Sequence, residues 1–215
     1  MKAAERRVQI LEVAIAAFGE GGFKGTTTKA IARAAGVSEA SVFRHFPSKE
    51  ALYIAAFEHR TAAGSAQFVT VLEGFADRGD DEGLLRTLIQ GILAAYEQDR
   101  GLQRMMLYAS MDQNREANAR MFERIGHSPV IRFLGRWVAR RQAEGVFCTA
   151  DSGLLSAAVL ALAAQWGTQT KLFARNPAPT PPGWDEQVAE TLARLLLHGL
   201  HGPPAGERPP GASTD

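Results

Sequence analysis

Apolar residues recur at intervals of three and four along almost the whole 215-residue chain, and alternation of period two is hard to find. That regularity supplies one buried stripe per helix and no alternating face for a sheet, so the expected fold class is all-α. Residues 5–19 bring Val8, Leu11, Ile15 and Phe18 onto one face and stop at Gly21 and Gly22. Thr27 caps a short helix that runs to Ala35, Gly36 takes the left-handed stop position, and Val37 folds back onto the helix end. Ser38 caps a third helix of about two turns, bounded by the breaker Pro47. Ser48 opens a fourth, with Glu50 in its first turn, where the helix dipole favours an acid.

The fourth helix is expected to continue to about Gly74, a span of roughly 39 Å at 1.5 Å per residue, which carries the chain out of the small N-terminal unit. The break "GFADRGDDEG" separates it from a helix with Leu85, Leu88, Ile89, Ile92 and Tyr96, ended by "DRG" at 99–101. "LQRMMLYASM" and a polar-faced stretch to Ile125 follow, and Ser128 with Pro129 makes a cap and first turn for a helix to Glu144, stopped by Gly145. Asp151 or Ser152 starts a long helix to about Arg175, "NPAPTPPG" is a stiff loop, and residues 185–200 form the last helix. The Pro/Gly-rich end has too little apolar surface to fold.

Charge narrows the partners only through its distribution. The chain holds 24 basic and 23 acidic residues, but residues 1–60 carry nine basic against six acidic. A single cysteine, Cys148, excludes an intramolecular disulfide and a Cys-rich zinc site, and packing is its expected role. His198 and His201 stand three apart, yet no carboxylate or cysteine joins them nearby in sequence, so they read as helix-end histidines favoured by the dipole, and neither metal nor cofactor is expected. There is no GxSxG, no HExxH and no phosphate-cradling glycine loop, so no catalytic residues are expected. The longest nearly apolar run, Leu154 to Trp166, is too short for a bilayer, and the chain is expected to be cytoplasmic with no membrane partner.

On a wheel of 100° steps, Val42 and Phe46 of the third helix fall on one side, toward Ile10, Phe18, Ile31, Ala35 and Val37. Ala40, Ser41 and Arg44 then face away, flanked by Phe43 and His45. A helix seated in the major groove of DNA needs that layout: an apolar anchor behind, short side chains for close approach, and one long donor able to pair with a guanine edge. The caps at Thr27, Ser38 and Ser48 present free backbone N–H groups, each a seat for a phosphate. Thr28, Lys29, His45 and Lys49 would add side-chain phosphate contacts. Phe43 alone has a second, less favoured reading as a ring folded onto a neighbour, and the basic opening "KAAERR" reads first as a solvated helix start and second as a minor-groove arm.

The segment "TTTKAIARAAGVSEASVFRHFPSKEAL", Thr26 to Leu52, resembles the DNA-binding domain of the TetR/AcrR family of bacterial transcriptional regulators. The resemblance joins the Thr-rich start, the Ala-Gly-Val turn, the Phe-Arg-His-Phe segment and the Ser-Lys-Glu-Ala-Leu opening at the family's spacing. It implies an N-terminal three-helix helix-turn-helix domain at 1–50 and a larger helical effector-binding and dimerisation domain at 51–200, while composition makes 201–215 a disordered tail. Carried over by position, the family's DNA contacts fall on Thr28, Lys29, Ser38, Glu39, Ala40, Ser41, Phe43, Arg44, His45 and Lys49. Phe43 departs from the family's common tyrosine and lacks the hydroxyl that often meets the DNA backbone.

One recognition helix reads too few base pairs to select a site, so a homodimer on a palindromic operator is expected. The last two helices are apolar enough to need cover on two sides, and in the resembling family they pair with their copies. A small-molecule effector would enter the middle of the chain, where Met105, Met106, Tyr108, Met111, Phe122, Phe133, Trp137 and Trp166 are apolar and adaptable, and Gln165 and Gln169 polar; the same stripe also reads as ordinary core. The expected function is a repressor released by a largely apolar effector. The alternatives are an activator or DNA-binding structural protein of the same fold, or a small-molecule carrier or enzyme that needs no DNA.

Overall fold

The computed structural model describes residues 3–62, 65–111, 126–173 and 181–201, together with 119 and 123. Among the described residues it forms ten α-helices, α1 Ala3–Gly25, α2 Thr28–Ala34, α3 Glu39–His45, α4 Lys49–Ala62, α5 Ser65–Asp77, α6 Asp81–Gln98, α7 Arg100–Met111, α8 Pro129–Ala143, α9 Ser152–Gly167 and α10 Trp184–His201, with a π-helical turn at Thr168–Leu172 after α9. None of them is long and apolar enough to cross a membrane.

The first helix does not stop at Gly21–Gly22. Gly22 sits at φ 66°, ψ −178°, a kink that only glycine adopts without strain, and the helix resumes to Gly25. The detour swings Phe23 under the core, 5.2 Å from the Tyr53 ring, which also meets Phe18 edge-on at 4.9 Å. Val8, expected in the buried stripe, is 43% exposed, because the first two turns of α1 project past the core and burial begins at Ile10 and Leu11.

Two buried clusters divide the molecule. The first gathers Ile10, Ile15 and Phe18 of α1, Ile31 of α2, Val42 of α3, and Leu52, Tyr53 and Phe57 of α4, and closes with Leu102, Met105 and Ala109 of α7. A boundary after residue 50 therefore cuts through this core: α4 and α7 are part of what holds the N-terminal helices. Each large side chain sequestered here stabilises the fold by about 1.5–3 kcal/mol. The helix α7 approaches α1 backbone to backbone, so close that a Cβ on Gly19 would lie 2.6 Å from the Gly101 carbonyl oxygen.

The second cluster is built from Leu72 of α5, Leu85, Leu88 and Leu93 of α6, Phe133, Leu134 and Trp137 of α8, Val159 and Ala163 of α9, and Ala189 and Ala193 of α10. At its edge lies a buried ion pair: Arg141 Nη2 donates to Asp81 Oδ2 at 2.6 Å while Trp137 Nε1 donates to Oδ1 at 3.1 Å. Burial opposes the Arg141 charge, but the hydrogen bonds and attraction from Asp81 and Glu144 outweigh it and hold its pKa above the ordinary arginine value.

Three connections differ from expectation. The predicted fourth helix is helical on both sides of residues 63 and 64, which lie outside the described residues, and it passes through Gly74 to Asp77. The following break shrinks to Arg78–Asp80 because Ala76 is still buried and Asp80 already caps α6, accepting from Gly83 N at 2.8 Å. At "DRG", Asp99 alone ends α6 and caps α7, its Oδ1 accepting from Leu102 N at 3.0 Å. The helix expected to reach Arg175 stays α-helical only to Gly167 and widens into the π-turn, with Gly167 pressed against the Tyr96 ring. The Ser128 cap, with Ile131 N at 3.3 Å, and Gly145 at φ 73° fall where the sequence puts them. Of the disordered tail expected at 201–215, His201 is instead the last residue of α10, and residues 202–215 lie outside the described residues.

Candidate nucleic-acid interface

Local hydrogen bonds build the segment from Thr27 to Leu52. Thr27, Ser38 and Ser48 each accept from the backbone N–H three residues on, at 3.1, 3.2 and 3.1 Å, which ties down one otherwise unpaired donor at the start of α2, α3 and α4. The turn between α2 and α3 is a Schellman close: Val37 N donates to Ala32 O at 2.9 Å and Gly36 N to Arg33 O at 3.1 Å, with Gly36 at φ 64°. Gln9 of α1 buttresses this turn, its Nε2 donating to Ala35 O at 3.2 Å.

That framework fixes the rotation of α3. Val42 is 1% and Phe46 2% exposed, so the helix is anchored through one face. Ala40, Phe43 and Arg44 are exposed, and Ser41 and His45 half-buried. The Arg44 Nη2 donates to Ser41 Oγ at 3.2 Å, which lays the guanidinium along the outer face of its own helix. Phe43 is 44% exposed, so its ring is not folded into the core. Arg7 stacks over the Phe46 ring at 5.0 Å, placing the basic start of α1 beside the end of α3.

The remaining predicted contacts are less uniform. Lys29 is exposed, and so is Arg33 one helical turn later on the same face; the two border a concavity that also includes Thr27, Val37 and Glu39. Arg33 is absent from the motif-based set, and its signal is the i, i+4 spacing from Lys29. Thr28 and Glu39, both assigned to DNA, hydrogen-bond each other, Thr28 Oγ1 donating to Glu39 Oε1 and pinning α2 to α3. Lys49 lies with its Nζ 4.4 Å from the Phe23 ring centroid, a cation–π contact that the kink at Gly22 creates. Ser38 is occupied as a cap.

The expected effector residues do not converge. Met105 is fully buried, and Met106 packs beside it, in the N-terminal cluster. Tyr108 is 40% exposed and donates its hydroxyl to Glu20 O at 3.3 Å, while Met111 is 71% exposed. Phe133 and Trp137 belong to the second cluster and border a cleft of about 430 Å³ between α5 and α8. Gln165 and Gln169 are exposed, Trp166 borders a separate cavity of about 250 Å³, and Phe122 lies outside the described residues. A methionine stripe at helical spacing served here to seat α7 on α1, since apolar periodicity specifies a buried face without specifying what covers it. The helix-end His198 and His201 stand in the last turn of α10, and among the described residues no group of three His, Cys, Asp or Glu side chains is placed to hold a metal ion.

The family profile described as "Bacterial regulatory proteins, tetR family" matches residues 10–56. The nucleoid occlusion factor SlmA of Photobacterium profundum is 32% identical over 165 residues, covering 74% of this chain and 80% of that protein. Among solved structures, the transcriptional regulator FadR from Bacillus subtilis in complex with stearoyl-CoA superposes with a TM-score of 0.70 at 18% identity, over 90% of this chain and 99% of that one. AibR in complex with isovaleryl coenzyme A and operator DNA superposes with a TM-score of 0.65 at 18% identity, over 92% and 99%.

Proposed function

The chain belongs to the TetR family of DNA-binding bacterial regulators, and on that premise we propose that it is a homodimeric repressor which leaves a palindromic operator when a small effector binds. The observation that carries the reading is the orientation of α3, with Val42 and Phe46 buried and Arg44 and Phe43 outside. In this proposal residues 1–50 bind DNA and residues 51–200 dimerise and bind effector. Arg44 reads a guanine edge, Ala40, Ser41 and Phe43 lie against the groove, and Lys29, Lys49 and His45, with Thr28 and the cap residue Ser38, hold phosphates. Glu39 acts through Thr28 by fixing the angle between the two helices.

Support for a dimer through α9 and α10 comes from their uncovered apolar residues, Leu154 at 67% and Leu195 at 62% exposed. The coenzyme A thioesters held by FadR and AibR are the precedent for a small-molecule effector.

The test is binding of duplexes from the DNA flanking the gene, followed by anisotropy over a salt series. Arg44→Ala should cost about 1–3 kcal/mol on the preferred site and relax sequence choice. Lys29→Ala, the cleaner phosphate probe because its side chain is exposed, should weaken all duplexes equally and lower the salt slope by about one. Wild-type protein that ignores duplexes at low salt refutes the proposal.

A second reading is favoured by the likeness to SlmA: a DNA-binding nucleoid occlusion factor rather than a repressor of neighbouring genes. Footprints scattered over the chromosome and insensitive to small molecules would select it.

A further inference from the structure

Resting on the regulator reading above, we infer that Arg7, which the recognition motif does not include, is a DNA phosphate contact that the start of α1 presents at the end of the recognition helix. The core-facing stripe of α1 runs through Ile10, Leu11, Ala14 and Phe18, all fully buried. Arg7 stands three and four residues before the first two, so it holds the next position of that stripe, one turn beyond the point where burial begins. An apolar residue there would extend the core. A guanidinium caps its rim instead, with Cζ 5.0 Å from the ring centroid of Phe46, the residue that ends α3.

Stacking of this kind uses only the face of the guanidinium. Its five N–H donors lie in the plane of the group and remain directed sideways, and the residue is exposed. Among the described residues Arg7 makes neither an ion pair nor a side-chain hydrogen bond, while Arg6 beside it donates from Nη1 to Gln9 Oε1 at 3.0 Å. The result is a planar donor fork, steadied by an aromatic ring, whose geometry matches two oxygens of an oxyanion.

Its position selects a phosphate of the duplex. A helix of seven residues is about 10 Å long and the major groove about 12 Å wide, so α3 seated there brings its ends against the sugar–phosphate walls. The wall at the end of α3 is the one proposed above for His45 and Lys49, and Phe46 stands between them in the chain. His45 is half-buried and Lys49 Nζ rests 4.4 Å from the Phe23 ring centroid, so both are partly engaged elsewhere and Arg7 supplies the exposed charge at this end. At the other end, exposed Lys29 and Arg33 border the concavity beside Glu39, and Arg7 therefore gives the reading head a cation on each side. Gln9 fixes the fork to the head: its Nε2 donates to Ala35 O at 3.2 Å, which ties this turn of α1 to the turn between α2 and α3. A helical residue held at two points in this way does not serve as an extended minor-groove arm.

The experiment measures anisotropy of the full-length protein between 50 and 200 mM salt, on the duplex from the DNA flanking the gene, made with A·T-rich and with G·C-rich ends. Arg7→Met keeps the stem that covers Phe46 and removes the charge, whereas Arg7→Lys keeps the charge. The expected result is a salt slope lowered by about 0.9 per protomer in Arg7→Met on both duplexes, so that over this range wild type loses about threefold more affinity per protomer than the variant, with the wild-type slope kept in Arg7→Lys. An Arg7→Met slope equal to that of wild type overturns the inference and leaves Arg7 as a lid on Phe46, whatever its Tm. A slope lowered equally by both variants, with a matching fall in Tm, also overturns it by tracing the loss to a displaced α3. So does a loss confined to the A·T-rich ends, which makes the contact one to the minor groove. Wild-type protein that binds its duplex while Arg7→Met changes nothing loses this inference and retains the regulator reading; wild-type protein that binds neither duplex loses both.

Discussion

Gly19→Ala should destabilise the protein although it adds the best helix former to the middle of a helix. Considered within α1 alone, the exchange gains about 1 kcal/mol of helix propensity. The tertiary contact opposes it. The new Cβ would stand 2.6 Å from Gly101 O, 2.8 Å from its Cα and 3.0 Å from its carbonyl carbon, all backbone atoms that cannot rotate away, so α1 and α7 must part by about 0.8 Å to reach ordinary contact. Overpacking of this kind costs about 1–3 kcal/mol, and with unyielding backbone on the far side the upper end applies. The net loss is about 1–2 kcal/mol, a fall of about 2–8 °C in Tm for a chain of this size. Gly135→Ala in α8 is the matched control, since nothing lies within 4 Å of its added Cβ; it should raise Tm by about 2–4 °C. Thermal unfolding of both variants checks the pair. A Gly19→Ala protein as stable as wild type, or more so, would refute the claim that α7 seats directly on the backbone of α1.

Asp81→Ala strands Trp137 N–H and leaves Arg141 with Glu144 alone, and because Arg141 is only 16% exposed the loss should be about 3 kcal/mol in urea unfolding; a change within error would show the pair to be dispensable. Lys171 has its charge opposed by burial but favoured more strongly by Asp185 and Glu97, so its folded pKa lies above 10.5. A raised pKa contributes stability that is complete below the unfolded value and lost only as pH climbs through the folded one. The stability difference between wild type and Lys171→Met should therefore be flat from about pH 7 to 9 and shrink above 10.5, and a decline already between 7 and 9 would contradict the pairing. Leu195→Glu should leave a 23.2 kDa monomer by light scattering if the exposed stripe of α10 is the dimer face. Ser38→Ala should cost about 1 kcal/mol from the lost cap of α3, read as a lower urea midpoint.

The segment from Thr27 to Leu52 is readable in the chain because its determinants are local. Three hydroxyl caps reach N–H groups three residues away, a glycine accepts a positive φ, and 100° spacing separates Val42 and Phe46 from Arg44. The all-helical class follows from the same periodicity. What periodicity leaves open is the identity of the covering surface. Met105 reads as a pocket residue until α7 is seen against α1, and Thr28 and Glu39 read as separate DNA contacts until α2 and α3 are seen bonded to each other. Gly101, Asp81 and Lys171 carry no local signal at all. Their partners lie 82, 60 and 74 positions away, at Gly19, Arg141 and Glu97, and only the closing of the chain brings those groups together. The sequence by itself determined most of the residues that turn inward and the caps that open α2, α3, α4, α8 and α9; the tertiary structure alone decided what each inward face would meet, because a hydrophobic stripe is indifferent to its partner and shape, charge and backbone clearance are not.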